Sequence, residues 1–160
     1  MNPAGDIDLG SVADIPMCEF WNAPHDTQYS CIEAVSISHT MGQQVVKAEA
    51  FTSSKDAFAK HPANMKNQTD WAFAIGINGI VFHTFQHQAF GDQEQPGMTM
   101  GPYGVHYDRT QTWWGMVRDW HRYLARCQWL LRQGLHVADI CYLAPEGAPN
   151  VFQPPLAAME

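Results

Sequence analysis

The sequence predicts an α/β fold of parallel β/α repeats. Three observations carry this: short apolar runs alternate with helical stretches, each run ends in a polar or charged residue, and glycines mark the turns that lead back into the next run. An open doubly wound sheet and half of an eight-stranded β/α barrel both satisfy such a pattern. No GxGxxG follows a predicted strand and no GxxxxGK[ST] occurs, which lowers the nucleotide-binding sheet. Carboxylates at successive strand ends favour the barrel, whose chemistry sits on that rim.

Taken in order, Met1 to Ala13 lacks periodicity and reads as a loop. The run from Ile15 to Trp21 is a first strand that presents Glu19 near its end, closed by Asn22 and Pro24. Asp26 or Thr27 can cap a helix reaching about Met41, with Ile32, Val35, Ser36 and His39 at helical spacing and Gly42 as its stop. Val45 to Phe51 is then a buried second strand that delivers Glu49 and breaks into Thr52-Ser53-Ser54. Strand, helix and strand with such short turns make a βαβ unit, whose strands are parallel.

Asn64 is placed to cap the next helix, whose Met65, Trp71, Phe73, Ala74 and Ile77 give a patchy apolar face before Gly76 and Gly79 end it. Gly79 to Phe85 reads as a third strand carrying His83. Gln86 to Thr112 is a long irregular stretch, rich in Gly, Pro and aromatics, of the kind that usually serves function. From a Thr112 cap, Trp113, Val117, Trp120, Leu124, Cys127 and Leu131 trace one apolar face of a helix that stops at Gly134. Arg118, Arg122, Arg126 and Arg132 lie largely off that stripe, as a solvated face would. His136 to Ala144 reads as a fourth strand leading to Glu146. The whole is one domain over 1–160, with loop-like ends at 1–14 and 147–160.

Composition limits the partners. With 160 residues, 46% hydrophobic and 16% charged, the chain is globular and large enough for one real core. The net charge of −7 and the absence of a Lys/Arg cluster leave a nucleic-acid backbone nothing to grip, so no nucleic acid is expected. No apolar stretch is long enough to cross a bilayer and no signal-peptide pattern appears, which leaves the localisation open. Cys18, Cys31, Cys127 and Cys141 show no CxxC spacing and read as core thiols rather than a zinc site. Aromatic content of 12%, including six Trp, suits a carbohydrate site as well as a core.

Glu19, Glu49, His83 and Glu146 stand at or just past separate strand ends, where a barrel would converge them. A single strand-end Glu is more often a cap or an ion-pair partner, but four such groups together point to a site. Two carboxyl groups across a pocket are what glycosidic cleavage requires, one protonating the leaving oxygen and one attacking or activating water. Glu19 and Glu49 supply such a pair by position. His83, Gln86, His87 and Gln88 form a polar cluster better suited to substrate hydroxyls than to zinc, because no HExxH is present. No GxSxG elbow supports serine-hydrolase chemistry.

Several blocks are distinctive in combination: Glu19-Phe20-Trp21, Ala48-Glu49-Ala50-Phe51-Thr52-Ser53, Gly76-Ile77-Asn78 before His83, Pro96-Gly97 with Tyr103-Gly104, Thr112-Trp113-Trp114 with Tyr123 to Gln128, and Ala138-Asp139 before Pro145-Glu146-Gly147. From about Ile15 to Glu146 the chain thereby resembles glycoside hydrolase family 106, the α-L-rhamnosidases. The resemblance implies the second half of a (β/α)8 barrel, inverting hydrolysis of terminal α-L-rhamnosides, and a calcium ion near the site. It implies Glu49 as the base that activates water, and Glu19 as a carboxylate on substrate or calcium. Trp21, His83, His87 and Glu146 are expected to contact the sugar.

The family's general acid belongs to an earlier strand, and nothing in Met1 to Asp14 matches it. The chain is therefore expected to be a piece of a longer enzyme, inactive by itself, with the remainder of the barrel as its natural partner. Full-length relatives are expected to be periplasmic or secreted. Two alternatives stand beside this reading: a carbohydrate-binding remnant without catalysis, and a barrel glycosidase for another sugar, such as a β-galactosidase-like enzyme.

Overall fold

The computed structural model of the chain describes residues 6–21, 28–54 and 57–143. Its centre is a three-stranded, wholly parallel sheet, ordered β1 (Met17–Trp21), β2 (Lys47–Thr52) and β3 (Gly79–Phe82). Around it run α1 (Asp6–Ser11), α2 (Gln28–Thr40), α3 (Pro62–Ile75) and α4 (Val117–Leu131). The strands lie in sequence order because each returning helix sets the next strand beside the last.

Alternation along the strands divides the sheet into two faces. Cys18, Phe20, Ala48 and Ala50 are buried against the helices, among Cys31, Val35, Met65, Ala72 and Phe73. Ala48 and Ala50 are fully buried, and their small side chains let the helix layer approach closely. Phe20 fills the space this leaves, edge-on to Phe51 at 5.6 Å and to Trp71 at 6.3 Å. Each such buried large side chain is worth roughly 1.5–3 kcal/mol. The opposite face carries Met17, Glu19, Trp21, Lys47, Glu49 and Val81, all at least partly open.

The register explains a break in this alternation. Phe20 pairs with Ala50 but Trp21 pairs with Thr52, so Phe51 is an extra residue in β2. Phe51 adopts the left-handed conformation, with φ 71°, and its ring is buried against those of Phe20 and Phe82. A bulge of this kind turns the following residue onto the other side. Thr52 therefore shares a face with Glu49.

Local chemistry sets the helix ends. Pro62 opens α3, and Asn64 caps it from inside the first turn: its Oδ1 accepts from the His61 N–H at 2.9 Å. Gly76, at φ 114°, closes α3 and sends its chain into β3. The predicted Thr112 cap is replaced by a 3₁₀ turn, Trp114–Met116, whose i→i+3 bonds precede α4 proper. On α4, Trp120 and Leu124 are buried, but Leu130 and Leu131 are exposed, so the apolar stripe is covered only in its first half. Arg132 is not solvated freely: its Nε donates to the Asn78 carbonyl at 2.9 Å and anchors the end of α4 to the start of β3.

Two expected elements differ. The N-terminal stretch contains the helix α1, too short to show periodicity, which approaches α2 so closely that a Cβ on Gly10 would lie 2.3 Å from Ile37 Cδ1. The expected fourth strand is not formed. Residues 136–143 are irregular, with Val137, Ile140 and Leu143 exposed and Cys141 on the surface rather than in the core. A strand exists by pairing, and the free side of β3 is already engaged. The Ile80 N–H bonds Gln128 Oε1 at 3.0 Å, and just past β3 the Thr84 N–H bonds the Val105 carbonyl at 2.9 Å.

Candidate active site on the open face of the sheet

Parallel register places Glu19 directly opposite Glu49, and Glu49 directly opposite Val81. Neighbouring strands lie about 4.8 Å apart, so the two carboxylates are side-by-side neighbours on the open face. Both are partly exposed. The bulge brings a third group to them: Thr52 Oγ1 donates to Glu19 Oε1 at 2.9 Å. Thr52 is 1% exposed, so this hydroxyl is a fixed, desolvated donor that holds one oxygen of Glu19 and leaves the other available.

Aromatic rings frame this row. Trp21, at the end of β1, meets Tyr103 edge-on at 5.9 Å. Tyr103 is held there by its neighbours: Gly104 N–H donates to the Ser53 carbonyl at 2.8 Å and Val105 N–H to the His83 carbonyl at 2.9 Å. The long loop thus returns across the C-terminal ends of β2 and β3. Gly104, at φ 90°, is the residue that permits it, since a Cβ would stand 3.2 Å from His83 Nδ1 and O.

His83 follows β3 immediately, its N–H bonded to the Ala50 carbonyl at 3.0 Å. Its Nδ1 is buried without a hydrogen-bond partner among the described residues. His87 is exposed within the loop, its backbone bridged to Met98 rather than held on the sheet. The structure therefore separates the two histidines that the sequence grouped. Glu146 lies outside the described residues.

Behind the rim is a buried polar cluster of which the sequence singled out only Gln86, as a group for substrate hydroxyls; at 2% exposed it is instead engaged inside the protein. With the Gln86 amide turned to satisfy both ends, its nitrogen donates to the Thr84 carbonyl and to Asp108 Oδ2, and its oxygen accepts from His106 Nδ1 at 2.6 Å. Asp108 Oδ1 accepts from the Thr110 N–H at 2.8 Å and hydroxyl at 2.7 Å, an Asx turn that starts the approach to α4. Burial pushes the His106 imidazole below its ordinary pKa, against the opposing pull of Asp108. Alongside, Tyr107 stacks on Phe82 at 3.9 Å, and its hydroxyl meets His121 Nε2 at 2.9 Å. Burial raises the Tyr107 phenol and lowers the His121 imidazole, so both are held neutral.

Among the described residues no group of three or more His, Cys, Asp or Glu could hold a metal ion. Around Glu19 the oxygen donors among the described residues are its own carboxylate, Thr52 Oγ1 and the neighbouring carboxylate of Glu49. Calcium takes six to eight oxygens, so these residues do not make a calcium site by themselves. Tyr103 and Thr52 are the rim residues that sequence reasoning missed. Tyr103 stands in a recognisable Tyr-Gly pair, but Thr52 depends on the bulge.

Comparison with known proteins adds three findings. A family model described as alpha-L-rhamnosidase, glycoside hydrolase family 106, matches residues 1–158. A protein of Formosa agariphila named "Putative beta-glucuronidase" is 36% identical over 148 residues, covering 92% of this chain and 12% of that protein. A solved structure, a rhamnosidase from Novosphingobium sp. PP1Y, superposes with a TM-score of 0.82 at 34% identity, covering 90% of this chain and 14% of that one. The chain thus spans 12% and 14% of the lengths of these relatives.

Proposed function

We propose, from the premise that the chain belongs to glycoside hydrolase family 106, the alpha-L-rhamnosidases, that it forms part of the catalytic rim of an inverting glycosidase acting on terminal α-L-rhamnosides. The observation that carries the reading is the in-register pair of Glu19 and Glu49 on the open face of a parallel sheet, with Thr52 fixing Glu19. The sheet is read as part of a (β/α)8 barrel, whose interior this open face would line.

In this reading Glu49 is the base. Its ionised carboxylate takes a proton from a water as that water's lone pair attacks the anomeric carbon and the glycosidic bond breaks toward the leaving oxygen. Inversion requires the acid on the opposite side of the sugar, about 6.5–9.5 Å from the base. Glu19, on the adjacent strand, is a poor match for that place and suits a hydroxyl or cation contact beside the water. The general acid is then supplied from outside these residues, and the 160 residues alone turn over no substrate. Trp21 and Tyr103 stack against the apolar face of the sugar, and His83 and Glu146 hydrogen-bond its hydroxyls. His87 is a more distant contact from the loop. A calcium at Glu19 would draw its remaining oxygens from elsewhere and supply a fixed positive charge for substrate hydroxyls.

The test is a segment exchange. These 160 residues replace the matching segment of the Novosphingobium rhamnosidase, and hydrolysis of an aryl α-L-rhamnoside is followed, with an aryl β-glucuronide as the competing substrate. The reading predicts rhamnoside turnover releasing the β-anomer first, lost in Glu49→Gln. Turnover by the isolated chain that Glu49→Gln abolishes, or an active exchange indifferent to Glu49, would overturn it.

A further inference from the structure

We propose that Cys18 and Cys31 form a disulfide in the oxidised protein, a covalent cross-link between β1 and α2 just beneath Glu19. Their sulfurs lie 3.3 Å apart, and the residues are 8% and 0% exposed. The pair bridges two layers that already touch: Cys18 sits on the helix-facing side of β1, and the Ser30 hydroxyl next to Cys31 donates to the Glu19 carbonyl at 3.2 Å. Closing 3.3 Å to a bond of about 2.05 Å brings the two sulfurs together by little more than an ångström.

Little is lost on the thiol side. The other contacts of the two sulfurs are long, 3.5 Å from Cys18 to the Lys47 carbonyl and 3.6 Å from Cys31 to the Glu19 carbonyl. Cys127 lies on α4 and Cys141 in the irregular 136–143 segment, so no other cysteine shares this interface. The hydrogen bond to Cys31, then burial, holds the Cys18 thiol protonated and slow to react in the folded protein. The cross-link therefore forms while the layers are still open and is shielded once they close.

The chemistry balances with a small-molecule disulfide such as oxidised glutathione. One thiolate attacks it and displaces one thiol, and the second cysteine attacks the mixed disulfide and displaces the other. The two cysteines lose two protons and two electrons, and the oxidant leaves as two thiols. The product closes the stretch from Glu19 to Ser30 and ties the start of β1 to α2.

The test uses the whole chain, denatured and reduced, then refolded in a glutathione redox buffer and alkylated under denaturing conditions. The expected product is lighter by about 2 Da before alkylation and retains two of its four thiols. No Lys or Arg precedes Lys47, so trypsin leaves both cysteines in one peptide, whereas cleavage after Glu19 and Glu33 separates them. The cross-linked pair should then appear only without reductant. Cys127→Ser/Cys141→Ser should form the same link, with a higher Tm than its reduced form. Four free thiols after refolding, or a link that includes Cys127 or Cys141, would overturn the proposal. These outcomes do not depend on the glycosidase reading.

Discussion

Thr52, itself 1% exposed, donates its hydroxyl to the partly exposed Glu19 across the boundary between two strands, at 2.9 Å. A buried donor with one acceptor is a positional constraint, and its loss has two separable effects. Thr52→Val keeps the shape but removes the donor, and is expected to cost about 1 kcal/mol and to free Glu19 to move. Thr52→Ser should restore the bond. The comparison is made by denaturant unfolding of the chain and by kcat in the exchanged enzyme. Equal behaviour of Val and Ser variants would show that the bond constrains nothing.

Glu49→Gln retains size and hydrogen bonding but cannot accept a proton from water. In the exchanged enzyme we expect kcat to fall by about 10²–10⁴-fold, the usual contribution of a general base. The Tm of the chain should hardly change, because Glu49 is partly exposed. A fall in Tm matching the fall in rate would make Glu49 a structural residue.

Phe51→Gly sets two effects against each other. Glycine relieves a left-handed residue, worth about 1–2 kcal/mol, but removes a ring that is 1% exposed and packed on Phe20 and Phe82. Loss of a buried Phe costs about 3–5 kcal/mol, so burial wins and the variant should be less stable. An unfolding midpoint at or above that of the parent would show that the strain dominates.

Gly104→Ala puts a methyl group against His83 in a conformation that alanine disfavours. The expected cost is about 1–3 kcal/mol. The loop should lift from β2 and β3, and with it Tyr103 from Trp21. Near-ultraviolet circular dichroism reads that ring pair, and an unchanged spectrum with lowered Tm would place the strain elsewhere.

Acid should destabilise the fold in a defined window. Burial lowers His39, helped by the charge of His136 stacked on it at 3.6 Å, and burial also lowers His106 and His121. With folded values below the unfolded value of about 6.5, the unfolded chain binds more protons as pH falls. Stability is therefore complete above about pH 6.5 and declines as pH drops through the depressed folded values. Tm measured from pH 8 to 5 should be flat and then fall, with a shallower fall in His39→Leu. A Tm that rises below pH 6.5 would contradict the assignment.

Much of the architecture was legible because parallel strands buried on one side announce themselves as apolar runs. β1 and β3 fall within the predicted runs, β2 outlasts its run by Thr52, which was read as the break, and Gly76 stops its helix as expected. The run at 136–143 has the same composition, yet it stays irregular because composition cannot say whether a ladder partner is present. Gln128 and Val105 take up the side of β3 on which that strand was expected. The pairing of Glu19 with Glu49 was suspected from position, but register fixed it, and a one-residue slip would have parted them. Asp108 looks like a loop polar in sequence and Gln86 like a substrate contact, and the two become a buried network only through the return of the loop.

The extra residue in β2 makes the spacing of functional groups odd rather than even. On a regular strand, two side chains that serve one pocket must be separated by an even number of steps, whereas here Glu49 and Thr52 do so at three. Straightening β2 with Phe51 still in the ladder would leave a more regular strand and a worse site: Phe51 would turn onto the open face and Thr52 into the hydrocarbon layer beside Phe20. The pocket therefore depends on a backbone irregularity whose only trace in the sequence is an unremarkable phenylalanine, and transplanting Glu49 to another scaffold would require carrying the irregularity with it.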